Sequence, residues 1–269
     1  HHPMPKRLTD QQVEQYQRDG FVSPVRVITE EEAVAIRCRL EEFEAAQGKS
    51  IHSTQRTKCA LLFPWIHELF TSDAMLDAVE DLIGPDILQY QSALWIKEPE
   101  TENYVSYHQD CTYYGMEPLE LVSAWVALSP ATLETGCIQV APSSHKSGEL
   151  PVDYSELKEN NLLSSGMKVQ YDIEPAKLVP MELKPGEMSL HHVGLVHGSL
   201  PNHGTDRRIG VAGGYFPPNV RQTTSLPASA MLMRGEDRYG HYPLDEIPPV
   251  SPHDPATIAC HDRAATLYR

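Results

Sequence analysis

Apolar and polar positions along the chain follow two different rhythms. Up to residue 85 the rhythm is helical. In TDQQVEQYQRDG, Thr9 caps a predicted short helix and Gly20 ends it. In TEEEAVAIRCRLEEFEAAQG, Thr29 with Glu32 forms a capping box, and Val34, Ile36, Leu40 and Phe43 make an apolar stripe that runs out at Gly48. A third helix is predicted over SDAMLDAVEDLIGP, capped by Ser72 and stopped at Gly84-Pro85. Amphipathic helices of this kind buttress another layer.

From Asp86 the texture is that of strands. DILQYQSALWIKEP, ELVSAWVALSP, GCIQVAPSS, KLVPMELKPGEMSLHH and RRIGVAGGYFPP are short β-prone runs separated by Pro, Gly and Asn signals. The spacing leaves room for loops and seldom for crossover helices, which predicts a mainly β fold, an antiparallel barrel or jelly roll with the helices packed on one face. The expected organisation is one catalytic domain: a helical buttress over 4–85, a jelly-roll core over 86–216, and an irregular proline-rich tail over 217–269 that wraps the barrel or covers its mouth. Within that tail Arg221, Arg234, Arg238, Tyr239 and His241 are expected to shape a substrate pocket or its lid. His1, His2 and Pro3, ahead of Met4, read as the remainder of a purification tag and enter no site.

Composition narrows the partners. Hydrophobic residues make up 41% and charged residues 22% of the 269, as in ordinary globular proteins. No run approaches a membrane span and no basic-then-apolar leader opens the chain, so a cytoplasmic protein that engages no membrane is expected. Five cysteines without a CxxC pair suit a reducing compartment and no thiolate zinc site. A formal net charge of −15 speaks against nucleic acid and, weakly, for a neutral or cationic small-molecule substrate. A homodimer is the default expectation for assembly.

Three stretches carry candidate chemistry. In YVSYHQDCTYYG, His108 and Asp110 stand at i and i+2 of an extended segment and so share a face; the pair is either a set of metal ligands or an ordinary polar strand end. In HHVGLVHGSLPNHGTDRRIG, His197 precedes Gly198-Ser199, small residues that permit close approach, although a histidine bonded to a carbonyl fits equally well. His191 and His192 face opposite ways in a strand, so at most one shares the face of His197; His203 reads as a surface residue. Arg207-Arg208 places one arginine inward and one outward, or both in solvent. An inward arginine needs an anion, and its fork matches a carboxylate.

The segments YHQD, WVALSPATLETGCIQVAPSSHKSG and KPGEMSLHHVGLVHGSLPNHGTDRRIGVAGGYFP together resemble the phytanoyl-CoA dioxygenase family of iron(II)- and 2-oxoglutarate-dependent oxygenases, over roughly residues 9–217. The order HxD, a glycine-cysteine loop ending in PxSH, HGSxxN and then arginine is that family's. The resemblance implies a double-stranded β-helix and makes His108, Asp110 and His197 the iron ligands. It gives Arg208, eleven residues past His197, to the C5 carboxylate of 2-oxoglutarate, with Arg207 the fallback if the loop is aligned one residue off. Trp125 and Lys97 sit where the family places groups near the cosubstrate, and His145 belongs to a structural loop.

The cofactors so implied are Fe(II), 2-oxoglutarate and O2, with hydroxylation of an aliphatic C–H and release of succinate and CO2. Desaturation is the alternative within the class. Halogenating relatives carry a small residue where Asp110 stands, so halogenation is not expected. Outside the class, a zinc hydrolase would leave Arg208 without a purpose, and a non-enzymatic binding barrel would leave the whole constellation to chance. Tyr104, Tyr107, Tyr113 and Tyr114 are candidate pocket walls.

Overall fold

Local capping chemistry sets the helices at the start of the chain. Thr9 Oγ1 accepts from the Gln12 N–H at 3.1 Å, and Thr29 Oγ1 accepts from the Glu32 N–H at 3.1 Å; in both helices the side chain three residues on returns a bond to the cap backbone. These helices run Asp10–Asp19 and Glu30–Gln47, closed by Gly20 and Gly48 in the left-handed conformation. Ser72 caps a third, Asp73–Ile83. The computed structural model describes residues 4–224 and 228–268, so the residues read as a tag remnant lie outside it.

Besides the short Ser53–Arg56 and Asp110–Tyr114, two longer helices escaped the sequence reading. Pro64–Thr71 lies in CALLFPWIHELFT, where apolar residues are too dense to show a period. Pro255–Leu267, begun by Asp254 and Pro255, falls in the stretch expected to be irregular, which is therefore helical over its last part.

Beside two small pairs, Met116–Glu117 with Arg221–Gln222 and Val152–Asp153 with Lys168–Val169, most strands fall into two antiparallel sheets. The larger runs in the order Phe21–Arg26, Glu187–His192, Val122–Ala127, Arg208–Phe216, Ile87–Lys97, Met231–Arg234; the smaller in the order Val105–His108, His197–Ser199, Ile138–Val140, Val179–Pro180. This is the jelly roll expected, with two edge strands that the sequence reading did not place. Phe21–Arg26 contains Pro24, which an edge strand tolerates, and its register shifts between Val22 and Val25.

Pleating divides the larger sheet into two faces. Val122, Ala124 and Val126, with Leu190, Val211, Leu94 and Ile96, point outward onto Leu40, Phe70, Leu76 and Val79 of the helices, forming the main core. Burying one such Leu or Phe side chain contributes roughly 2 kcal/mol. The alternate residues face the barrel interior, where the ladders set His191 beside Ser123 and Ser123 beside Gly214, then Trp125 beside Ala212 and Ala212 beside Ala93, and finally Arg208 beside Lys97. No helix among the described residues is long and apolar enough to cross a membrane.

Candidate active site

The smaller sheet brings His108 and His197 together, because the two residues are direct partners in its ladder. Asp110 follows one extended residue after the His108 strand and opens a short helix, Asp110–Tyr114. The aspartate thus turns back toward the imidazoles by leaving the strand, where the sequence reading had it still extended. Gln109, fully buried, fixes that turn: its amide nitrogen donates to the carbonyls of Gly148 and Gly194, both at 2.8 Å, and its oxygen accepts from the Leu150 N–H at 2.8 Å.

One ligand atom from each of His108, Asp110 and His197 lies within 4.8 Å of the others. His108 Nδ1 is 2.8 Å from the Ser106 carbonyl and His197 Nδ1 is 2.9 Å from the Leu195 carbonyl. A carbonyl only accepts, so each Nδ1 carries the proton and each Nε2 presents a lone pair. Both Nε2 atoms converge on Asp110 Oδ1, at 3.2 and 3.5 Å. Burial pushes the His197 imidazole down to about 3, against the pull of Asp110. Burial also opposes ionisation of Asp110, but the surrounding imidazoles of His197, His108 and His191 hold its carboxyl well below the usual range. Two lone pairs and an anionic oxygen aimed at one point suit a divalent cation.

His191 is the residue that the sequence reading left undecided. Its Nε2 donates to Asp110 Oδ2 at 3.3 Å, its ring centroid is 4.5 Å from that of His197, and it is 2% exposed. His192 points away, against His145 and Tyr16, and neither it nor His145 lines the cavity.

Beside the triad lies a cavity of about 410 Å³, lined among others by His108, Asp110, His191, His197, Trp125, Arg208, Ser199 and Tyr268. Arg208 is 2% exposed, its guanidinium carbon is 5.1 Å from the Trp125 ring centre, and one terminal nitrogen donates to the Gly136 carbonyl. Its Nε has no partner, and no carboxylate among the described residues lies within 4.0 Å. A buried arginine left this way awaits an anion. Gly210 makes room for the arrangement: a Cβ there would stand 2.0 Å from the Trp125 ring.

Two sequence-predicted cosubstrate contacts need correction. Arg207 faces outward, bonding Glu44 at 2.6 Å, Glu98 at 2.9 Å and Glu41 at 3.2 Å, because it alternates with Arg208 along the strand. Lys97 is fully buried but not on the cavity wall. Its Nζ is occupied by Ser199 Oγ at 2.6 Å and by the carbonyls of Gly136 and Leu200, so it braces the loop beneath Arg208. Asn202 secures the same loop, donating to the Lys97 and Asp206 carbonyls at 2.9 Å.

Of the four tyrosines, Tyr113 and Tyr114 line the cavity and Tyr104 and Tyr107 do not. In the tail, Arg221, Arg234 and Arg238 pair with surface acids, and neither Tyr239 nor His241 reaches the cavity. Tyr268, just past the last helix, does.

Comparisons with known proteins bear on the family and the fold. The family profile described as phytanoyl-CoA dioxygenase (PhyH) matches residues 16–210. A probable phytanoyl-CoA dioxygenase of Caenorhabditis elegans is 29% identical over 147 residues, 52% of this chain and 46% of that protein. A probable alpha-ketoglutarate-dependent hypophosphite dioxygenase of Stutzerimonas stutzeri is 26% identical over 204 residues, 75% of this chain and 67% of that protein. The peroxisomal phytanoyl-CoA dioxygenase of Homo sapiens is 32% identical over 50% of this chain and 42% of its own length. The chain thus spans about half the length of most of these relatives, from 42% to 67%. Among solved structures, the non-heme monooxygenase ThoJ in its apo form superposes with a TM-score of 0.83 at 30% identity, covering 96% of this chain and 95% of that one. CytC3 with Fe(II) and alpha-ketoglutarate, at 21% identity and a TM-score of 0.66 over 88% of this chain and 93% of that one, shares the fold.

Proposed function

The chain belongs to the phytanoyl-CoA dioxygenase family, and from that premise we propose that it is an iron(II)- and 2-oxoglutarate-dependent oxygenase that hydroxylates an aliphatic C–H bond of a small molecule. One observation carries the reading: a triad of metal-ligand character and a buried arginine without a carboxylate partner open onto the same cavity.

His108, Asp110 and His197 would hold the iron, and Arg208 would take the C5 carboxylate of 2-oxoglutarate, stacked on Trp125. The bound metal and cosubstrate supply the oxidising chemistry, with succinate and CO2 as coproducts. The protein's own part is to orient and to exclude. The Ser106 and Leu195 carbonyls keep the Nε2 lone pairs of both histidines aimed inward, and His191 fixes the second oxygen of Asp110 so that one oxygen is offered. Lys97 and Asn202 hold the loop behind Arg208, and Tyr113, Tyr114 and Tyr268 wall the substrate's side. As an iron ligand, the Asp110 carboxylate would fill the position that a halide would need, which favours hydroxyl transfer. A zinc hydrolase would use the triad but give Arg208 no task.

Anoxic protein given ferrous iron and 2-oxoglutarate is expected to develop a weak visible charge-transfer band, and in air to release succinate. His108→Ala and Asp110→Ala should abolish both, while Arg208→Ala should raise the 2-oxoglutarate concentration needed by about tenfold or more. A wild-type protein that shows no band and no succinate would rule the reading out.

A further inference from the structure

The cavity wall holds a second arginine that the reading above does not use. Arg56 ends the short helix Ser53–Arg56, and the next residue, Thr57, bridges to Ala93 on the inner face of the Ile87–Lys97 strand. The Arg56 side chain lines the same cavity as His108, Asp110 and Arg208. Its Nε donates to the Ile51 carbonyl at 3.2 Å, which anchors the guanidinium, while its two terminal nitrogens have no hydrogen-bond partner among the described residues.

Several arginines elsewhere are saturated, whereas Arg7, Arg39, Arg208 and Arg263, like Arg56, have no carboxylate within 4.0 Å among the described residues; of these unpaired arginines only Arg56 and Arg208 line the cavity. Arg207 holds three glutamates, Arg37 holds Glu41 and Asp206, and Arg234 holds Asp73, Asp77 and Glu80. No carboxylate among the described residues lies within 4.0 Å of Arg56. Glu98 and Glu44 act on it only from farther away, and both are already engaged by Arg207. Burial is the main influence on its guanidinium and works against the charge.

The cavity's charges can be balanced group by group. The lining contains one carboxylate, Asp110, and two arginines, Arg56 and Arg208. A divalent metal with Asp110, and doubly charged 2-oxoglutarate with Arg208, together sum to zero. Within the lining Arg56 is left as one partly desolvated positive charge with no anion in contact, Glu98 and Glu44 acting on it only from behind the wall. Beside it on the wall, Gln91 spends its oxygen on the Ser92 N–H at 2.9 Å and keeps its amide nitrogen free as a donor.

Resting on the oxygenase reading, we propose that Arg56 is the specificity determinant of the substrate subsite and that the substrate is a small organic acid, its carboxylate or phosphonate group held by the Arg56 fork. The choice reverses what the acidic composition suggests, since local charge and not net charge decides what enters a cavity. A cavity of about 410 Å³ shared with 2-oxoglutarate also confines that acid to a small molecule.

Binding tests this separately from turnover. Wild-type protein with Mn(II) and saturating 2-oxoglutarate is titrated with phenylacetate, octanoate, N-acetylglycine and benzylphosphonate, each beside its neutral amide or ester, by calorimetry. At least one acid should bind tenfold or more tightly than its neutral partner, and whether a carboxylate or the phosphonate gains most identifies the acid group. Arg56→Gln should weaken that acid by ten- to a hundredfold, Arg56→Lys by less, with melting temperatures kept. The proposal is overturned if acids and their neutral partners bind alike, if Arg56→Gln leaves acid affinity intact, or if acids bind only when 2-oxoglutarate is omitted and so occupy the place of Arg208. Failure of the oxygenase reading would appear elsewhere, as 2-oxoglutarate binding that does not depend on Arg208.

Discussion

His191 stands where a single side chain would finish the proposed metal site without joining it. Asp110 offers Oδ1 toward both Nε2 atoms, and the His191 N–H occupies Oδ2 at 3.3 Å, so the carboxylate cannot swing to present both oxygens or neither. His191→Phe keeps the volume and removes the donor. Its Mn(II) affinity should fall by about tenfold or more, measured by titration followed by electron paramagnetic resonance, with the fold intact. Unchanged affinity would mean that the bond does nothing for the metal. At this scale the sequence was informative about residue types and poor about partners. HxD, HGS and the arginine pair were visible because their order along the chain resembles a known family's, although Asp110 reaches the imidazoles by leaving the strand and not by sharing its face. The contacts of Gln109 and the place of Arg56 on the cavity wall were not, because both depend on residues distant in sequence, and Asn202 was visible only as the last position of HGSxxN.

At the scale of elements, the strand Arg208–Phe216 pays for its function in glycine. RIGVAGGYF has three, yet it lies between Val122–Ala127 and Ile87–Lys97 in the middle of the larger sheet, where glycine weakens pairing. Gly210 has an evident reason, the Trp125 ring seated directly over it. Gly210→Ala should therefore displace that ring and the Arg208 stacked on it, costing about 1–3 kcal/mol of stability and weakening 2-oxoglutarate binding, checked by denaturant melts and calorimetry. Retention of both would show that the tryptophan can move without consequence. The strands and capped helices were legible from periodicity and caps. The helix Pro64–Thr71 buries one face, Ile66, Leu69 and Phe70, but that period is masked by the apolar CALLF run directly before it, and the two edge strands lacked a distinctive run because they need pair on one side only.

Across the whole molecule, Arg207 ties the helical layer to the barrel. Its guanidinium reaches Glu41 and Glu44 on the Glu30–Gln47 helix and Glu98 beyond the end of a central strand, with Arg207 16% and Glu44 10% side-chain exposed. Arg207→Met should cost about 3 kcal/mol, because it strands Glu44 in a nearly dry contact, while 2-oxoglutarate affinity stays unchanged. Adjacent arginines would then separate cleanly, one read by thermal melt and the other by cosubstrate titration. A loss of cosubstrate affinity in Arg207→Met would overturn the division.

The segment that carries Arg56 is fastened from the far end of the chain. His261, in the last helix, donates to the carbonyl of Thr57 at 2.8 Å across 204 residues, and Lys58 donates to the Ser229 carbonyl at 2.8 Å. During synthesis these clasps do not exist until residues 229 and 261 have left the ribosome. The proposed iron triad needs nothing beyond residue 197 and Arg208 follows eleven positions later, so on that proposal a nascent chain owns the parts of an oxidising centre before the wall proposed to choose its substrate is fastened.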